Sequence, residues 1–522
     1  MFLSAYAQVI DAGAGRPPGS MAFWVGAFDV AAAPLADGLA AFVGGQAMPV
    51  TVVAAFQPIR DGSSRNWHAR IVVAGPALPP AASNGLIQQR RVRIELAGER
   101  VEVDSLPLPA AVPEESDGAF RILLSSCYFE PNDPHRRLSA RVAREARPDL
   151  VVLAGDQVYL DLPLTENLPE KDDALRRLLG EKYRRNFALG PADQQASGLD
   201  ALLKAGPLVC IADDHEYWNN YPYAQAQLPD TWKAGRRERW ERAARELYED
   251  YQCTPGQRAT RAHRLDVAPL KLLFLDLRSG RSEVVDKRET GPDPERLFDA
   301  TALAALHRWR DDLLAERQAG GAPVGVLSSG QILFLGRPSD FKKSVVDAEM
   351  ANYRQFDEIH AALQALATAG VPVVYVSGDV HWGRIAKAAH RARPVVWPDA
   401  LIEVVASPST LIDNPGDFAK KGWSTARGWF GDRDPWPTHA ATEEPPASFG
   451  PGDAPNRYAP LRVFPREAKA CLGNHFAMLA FTRRSGRISL QVTYHPIHKD
   501  AKYQTPLHAE PIDIGPPRSA AP

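Results

Sequence analysis

The chain has 522 residues, 45% of them hydrophobic and 24% charged, with a formal net charge of −2. That is an ordinary globular composition, long enough for one large catalytic domain and a smaller companion. The near-neutral balance supplies no basic footprint and argues against a nucleic-acid partner, and no apolar run approaches the roughly 20 residues of a membrane span.

In chain order, MFLSAYAQVIDAGAGRPPG comes first and lacks the charged n-region and sustained apolar core of a signal peptide. The chain as it stands therefore reads as cytoplasmic; a leader removed ahead of it would make it periplasmic or secreted. Residues 1–110 then carry short apolar or alternating runs, MAFWVGAFDV, MPVTVVAAFQPI, NWHARIVVAG and RVRIELAGERVEV, broken by Gly, Pro and Asn. This pattern predicts a small N-terminal β-sandwich domain. Pro and acids cluster without periodicity across residues 111–119, which read as a linker.

From residue 120 the pattern changes. RILLSS, DLVVLAGD, PLVCIADD, LKLLFLDLRS, VGVLSSGQILFLG, VPVVYVSGD and LIEVVASPS are continuous apolar runs, as in strands covered on both faces. RRLSARVAREARP, TWKAGRRERWERAARELYEDYQ, ATALAALHRWRDDLLAERQAG and QFDEIHAALQALATAG carry apolar residues at three-to-four spacing and separate several of these runs as helices. The alternation predicts an α/β domain over residues 120–510. Residues 411–470, rich in Pro, Gly, Asp and Trp, read as a long lid or binding loop or as a surface insertion. HFAMLAFTRRSGRISLQVTYH returns to a hairpin pattern, and residues 511–522 read as a disordered tail. The four cysteines, Cys127, Cys210, Cys253 and Cys471, are scattered without a CxxC pair. They form neither a disulfide framework nor a zinc ribbon and suit a reducing compartment.

The polar residues that close the apolar strands carry the chemistry. RILLSS runs into Cys127, DLVVLAGD ends at Asp156 with Tyr159 behind it, PLVCIADD delivers Asp213 and Asp214 followed by His215 and Glu216, LKLLFLDLRS carries Asp276 and Arg278, and VVYVSGD ends at Asp379 with His381 two places on. A single Asp after a strand is usually a cap or turn residue, and a single Cys there is usually a small buried hydrophobe. The coincidence of so many at one rim is what matters. Ligands in α/β sheets bind beyond the carboxyl ends of the strands, and several acids gathered there repel one another unless a cation lies between them.

SSCY, GDQVY, DDHE, LDLRSGRS and SGDVHWG, in this order and spacing, resemble the PhoD-like branch of the calcineurin-type metallophosphoesterases over residues from about 118 to 500. The departures from the wider superfamily are those this branch makes: Cys127 in place of the first Asp, Tyr159 in place of a His, Asp214 in place of Asn, and Asp379 in place of the first His of the last motif.

The resemblance implies a metallophosphoesterase-type αββα sandwich and a phosphomonoesterase or phosphodiesterase acting on a small-molecule phosphate ester through a hydroxide that bridges two metals. It implies one metal held by Cys127, Asp156, Tyr159 and His381 and a second shared through Asp156 with Asp214 and Asp379. Ferric iron, Fe(III), is implied at the thiolate–phenolate site; the all-carboxylate site suits Ca²⁺, Mg²⁺ or Mn²⁺. His215 is the implied catalytic group, touching the phosphate and protonating the leaving oxygen. Arg278 stands as a phosphate ligand or an ion-pair partner of Asp276, and Asn219 and Asn220 as an amide ligand or as supports for His215. His263 and His360 are candidates by position for a further metal-binding His. Competing expectations are a catalytically silent metal-binding scaffold of the same fold and a nucleic-acid-directed phosphodiesterase. A serine hydrolase needs a GxSxG elbow, and the sequence has none. Oligomeric state is not legible.

Overall fold

Along Phe120–Ser125 and Leu150–Ala154, neighbouring side chains enter different cores. Leu123, Val151 and Leu153 join one buried cluster, and Ile122, Leu124, Leu150 and Val152 join another. Period-two alternation does this in any strand, and it explains why runs buried on both faces read as uninterrupted Val, Leu and Ile. The structure is a computed structural model, and it describes residues 1–10, 19–75, 90–105, 107–133, 147–164, 166–188, 199–225, 227–282, 296–333, 350, 353, 355–379, 383–390, 401–407, 409, 458–462, 474–497 and 505–515.

Among the described residues the strands form three sheets. The largest has 11 strands, ordered Leu507–His508, Arg487–Pro496, His475–Arg484, Phe120–Ser125, Leu150–Ala154, Leu208–Ile211, Phe2–Gln8, Met21–Phe28, Trp67–Val73 and Val50–Pro58, with Ile512–Ile514 also paired to Arg487–Pro496. Its centre, from Phe120–Ser125 to Leu208–Ile211, is parallel. The second has seven strands, with Leu270–Leu275, Val324–Ser328, Val373–Ser377 and Leu401–Val405 parallel at its middle. The third has four, Gln46–Met48, Ala40–Val43, Arg90–Leu96 and Glu99–Ser105.

The two larger sheets face each other. Ile122, Val152 and Ile211 of one share a core with Leu272, Val326 and Val374 of the other. The outer face of the 11-stranded sheet is covered by helices Asp172–Phe187 and Ala234–Tyr251, through Leu175, Leu179, Trp240 and Leu247. The outer face of the seven-stranded sheet is covered by Ala300–Gln318 and Phe356–Thr368, through Leu306, Trp309, Ile359 and Leu366. The layers are a mixed α/β arrangement. Among the described residues, no helix is long and apolar enough to cross a membrane.

Three features differ from the sequence expectation. The opening segment contains the strand Phe2–Gln8, which pairs antiparallel with Met21–Phe28 and, at Gln8↔Leu208, parallel with Leu208–Ile211. The N-terminal strands thus continue the central sheet; Ala5, Phe23 and Val25 pack against Ala41, Val92 and Ile94 of the four-stranded sheet. The segment read as a linker is pinned on both sides, by Val112 N–H to Ala268 O at 2.8 Å and Arg483 N–H to Pro113 O at 2.8 Å. The expected tail begins ordered: Ile512 and Ile514 are buried and Ile512–Ile514 forms a strand, because the two isoleucines alternate onto the core face. Of residues 411–470, Tyr458–Arg462 is a strand paired with Arg384–His390, and the rest of the expected lid lies outside the described residues. So do most of the expected helix RRLSARVAREARP and all of GPPRSAAP beyond Gly515.

Candidate metal centre at the strand ends

Cys127, Asp156 and Asp379 each stand two residues beyond the end of a strand, and each has a positive φ, at 54°, 57° and 69°. Left-handed backbone in non-Gly residues costs energy, and it persists where the surroundings over-determine it, often at functional sites. Glycine clears the way at two points. A Cβ on Gly155 would sit 2.5 Å from Asp213 Cβ, and one on Gly378 would sit 2.2 Å from Ser126 Oγ. Only bare backbone lets these loops approach so closely. Cross-bonds then hold them: Cys127 N–H to Gly155 O at 3.1 Å, Tyr128 N–H to Asp156 O at 2.8 Å and Ser126 Oγ to Ala406 O at 2.9 Å.

The result is a cluster of acids, three of them buried and Asp379 half-buried. Carboxylate oxygens of Asp156, Asp213, Asp214 and Asp379 all lie within 4.8 Å of one another, and oxygens of Asp156 and Asp214 lie equally close to a ring nitrogen of His215. The Cys127 thiol donates to Asp156 Oδ2 at 3.4 Å and receives Ser407 Oγ–H at 3.0 Å. Tyr159 is buried, with its ring 4.1 Å from that of His215 and edge-on to Phe129. Burial, then the neighbouring Asp214 charge, pushes the Asp156 carboxyl well above its ordinary range. Burial pushes the Cys127 thiol and the Tyr159 phenol up as well, and the nearby carboxylates add to it.

His215 is held from three sides. Its Nδ1 meets Asp161 Oδ1 at 2.8 Å, its backbone N–H donates to Asp156 Oδ1 at 3.2 Å, and its ring lies over Tyr159. Burial works to lower the imidazole pKa, but Asp161, Asp214 and Asp156 together raise it well above the usual value. Asn219 N–H donates to the other Asp161 oxygen at 3.0 Å, and Asn220 N–H donates to Asp214 Oδ2 at 2.6 Å. Both Asn side chains turn to Gln225 Oε1, at 3.4 Å and 3.2 Å. The two asparagines reach the cluster through their backbone amides, Asn219 by way of Asp161, which also meets His215, and Asn220 at Asp214.

Arg278 adjoins the cluster through Asp213. It is 1% exposed; its guanidinium pairs with Asp213 Oδ1 at 2.6 Å and donates to Tyr221 O at 2.9 Å, while its backbone N–H donates to Asp276 Oδ1 at 3.0 Å. The expected acid, Asp276, meets the Arg278 backbone, and it is Asp213, from the neighbouring strand end, that pairs with the guanidinium. His263 lies in Ala262–Val267, the outermost strand of the seven-stranded sheet, and His360 in Phe356–Thr368; neither joins a cluster among the described residues. His381 lies outside the described residues.

Two contributors carried no role in the sequence. Asp161 stands two places after Tyr159, inside a motif already singled out by its Gly-Asp-x-x-Tyr spacing, so proximity alone could have marked it. Glu216 closes DDHE. It is fully buried and accepts four backbone N–H groups, and burial raises its pKa to about 7 even though those amides work the other way.

Sequence comparison adds the decisive observation: a model of PhoD-like phosphatases matches residues 122–421, more than half of the chain. The chain belongs to the PhoD-like phosphatase family. The residues this PhoD-like phosphatase brings together in the cluster above all fall within the matched stretch. A solved structure described as "Structure of PhoD" is similar over 98% of this chain and 88% of its own, with a TM-score of 0.52 at 12% identity, a likeness of fold. A crystal structure of an exo β-N-acetylglucosaminidase from Vibrio harveyi aligns over 72% of this chain and 75% of its own at 9% identity with a TM-score of 0.12, which says nothing of the fold. No curated protein sequence matches significantly.

Proposed function

We propose that this chain hydrolyses phosphate monoesters, diesters or both at a two-metal centre. The observation that carries the reading is the meeting of the Asp156, Asp214 and Asp379 carboxylates within 4.8 Å of one another inside the protein. Like charges at that spacing in low dielectric are costly, and a cation offsets the cost. Asp213 shares the cluster but has an internal cation in Arg278, so it is left out of the ligand set.

Cys127, Asp156, Tyr159 and His381 would hold one ion and Asp156, Asp214 and Asp379 the other. The thiol and phenol, both raised by burial, deprotonate only beside a strong charge, which suits ferric iron. The carboxylates suit Ca²⁺, Mg²⁺ or Mn²⁺. Bound there, cations supply the Lewis acidity that makes hydroxide available near neutral pH and offset the charge of the phosphoryl oxygens. The chain's own residues do the rest. Asp161 and the Asn219 amide fix the imidazole, and His215 delivers a proton to the departing alkoxide or phenolate, work typically worth about 10²–10⁴-fold. The loops bearing Cys127 and Asp156 are pre-set by their cross-bonds, and backbone amides fix one oxygen each of Asp156 and Asp214; such positioning is most of what phosphoryl transfer asks of a protein.

We read the two large sheets with their outer helices as the αββα sandwich of a metallophosphoesterase over residues 120–510, and the four-stranded sheet with the strands it faces as a β-sandwich domain over residues 1–110. The test of function is turnover of p-nitrophenyl phosphate and of its bis ester with added Ca²⁺, Mn²⁺ or iron. Metal-dependent release of nitrophenolate from either ester is expected. Silence on both with every metal would instead mark a scaffold that has lost catalysis.

A further inference from the structure

Glu216 is fully buried and is tied to both loops that carry the clustered aspartates Asp156 and Asp214. Its Oε2 accepts Asp156 N–H at 2.9 Å and Asp213 N–H at 2.8 Å; its Oε1 accepts Gln157 N–H at 2.6 Å and Val158 N–H at 3.2 Å. Three of these donors are successive amides of one loop, turned to a common side where Asp156 takes its positive φ. Such a run of convergent N–H groups is an anion-binding nest. Here the protein fills the nest with its own carboxylate. The fourth donor belongs to the other loop, so one oxygen atom, Oε2, joins the end of Leu150–Ala154 to the end of Leu208–Ile211.

A helix cap needs one or two amides from its own turn. Glu216 does cap its own turn through Asp213 N–H, but three of its four bonds from backbone amides leave that turn and go to Asp156 and the two residues after it. The bonds are charge-assisted and the carboxylate is wholly enclosed, so it is a rigid spacer. Above it, His215 N–H fixes one Asp156 oxygen and Asn220 N–H fixes one Asp214 oxygen. The aim of both carboxylates therefore depends on a separation that Glu216 holds.

We propose that Glu216 is a positioning residue that sets the gap between Asp156 and Asp214 and thereby the affinity of the centre for a divalent cation. This rests on the reading that those two aspartates hold metal. Glutamine at this position keeps the size but turns an NH₂ group onto one pair of amide donors, so one loop or the other is released. Aspartate keeps the charge but falls a methylene short of spanning four amides.

The experiment is equilibrium binding of Mn²⁺ to metal-stripped full-length protein, with circular dichroism and melting temperature measured on the same samples. Glu216→Gln is expected to bind Mn²⁺ about 10–100-fold more weakly than wild type while keeping its secondary structure, the size of effect seen when groups behind metal ligands are removed. Glu216→Asp is expected to recover part of that affinity, and it gives the same reading if the glutamine variant does not fold. A lowered melting temperature with wild-type Mn²⁺ affinity in either folded variant would overturn the proposal and leave Glu216 a cap. Failure of the wild-type protein itself to bind Mn²⁺ or any other divalent ion would overturn the metal reading beneath it, a result distinct from the first.

Discussion

Asp161 Oδ1 stands 2.8 Å from His215 Nδ1, and Oδ2 of the same buried carboxylate accepts Asn219 N–H at 3.0 Å. With Nδ1 engaged, proton transfer falls to Nε2, and the ring cannot turn away. Asp161→Asn should lower kcat about 10–100-fold with metal content unchanged, within the range general acid catalysis supplies. Steady-state kinetics should show a smaller loss for p-nitrophenyl esters, whose leaving group needs little protonation, than for alkyl esters. Equal losses on both would place Asp161 outside proton transfer.

Cys127 Sγ lies 3.4 Å from Asp156 Oδ2 beside the buried Tyr159. If both hold ferric iron, the protein is coloured by a tyrosinate–ferric band. Cys127→Ser should lose most of its iron and shift or abolish that band, while the all-carboxylate site still takes up Ca²⁺ or Mn²⁺. Unchanged iron content and an unchanged spectrum would remove Cys127 from the ligand set.

Arg278 and Asp213 are each 1% exposed and 2.6 Å apart. Removing one partner leaves the other charge buried alone. Arg278→Met should cost about 3–5 kcal/mol in urea unfolding, and combining it with Asp213→Asn should recover part of that loss. A variant of wild-type stability with a raised KM would put the guanidinium on the substrate after all.

Asp149, whose Oδ2 accepts Arg121 N–H, has its carboxyl pushed by burial from the ordinary 3.8 to about 6. The folded protein therefore holds this proton more tightly than the unfolded chain. Stability from this group is fullest below about pH 4 and falls as pH rises to about 6, by about 3 kcal/mol. Asp149→Asn should flatten that part of the stability curve, measured by denaturant midpoint against pH; an unchanged slope would assign it to other groups.

The strand ends were legible because chemistry and pattern coincide there: an apolar run ending in Gly-Asp says both where the strand stops and what it presents. Asp156, Asp214 and Asp379 accordingly meet. Arg278 was not legible, since a charge beside a site and a charge locked beneath it have the same sequence; only the register of Leu208–Ile211 beside its neighbours brings Asp213 to it. Glu216 was hidden for a related reason. Its partners are backbone amides, which have no letter in the sequence. That Phe2–Gln8 joins the N-terminal strands to the central sheet was hidden because the junction is one pairing about 200 residues away, Gln8↔Leu208, although the strand itself pairs with nearby Met21–Phe28. The helix Asp172–Phe187 was also missed, although Leu175, Leu179, Tyr183 and Phe187 recur every four residues, because charged residues fill the intervals.

The most direct test of the account is metal content and ester turnover measured together on freshly purified wild-type protein and on Asp156→Ala. The account predicts two metal ions per chain in the wild type, turnover that needs them, and an Asp156→Ala protein that folds but is inactive even when supplied with iron and Ca²⁺ or Mn²⁺. Turnover at the wild-type rate in folded, metal-supplied Asp156→Ala would contradict it.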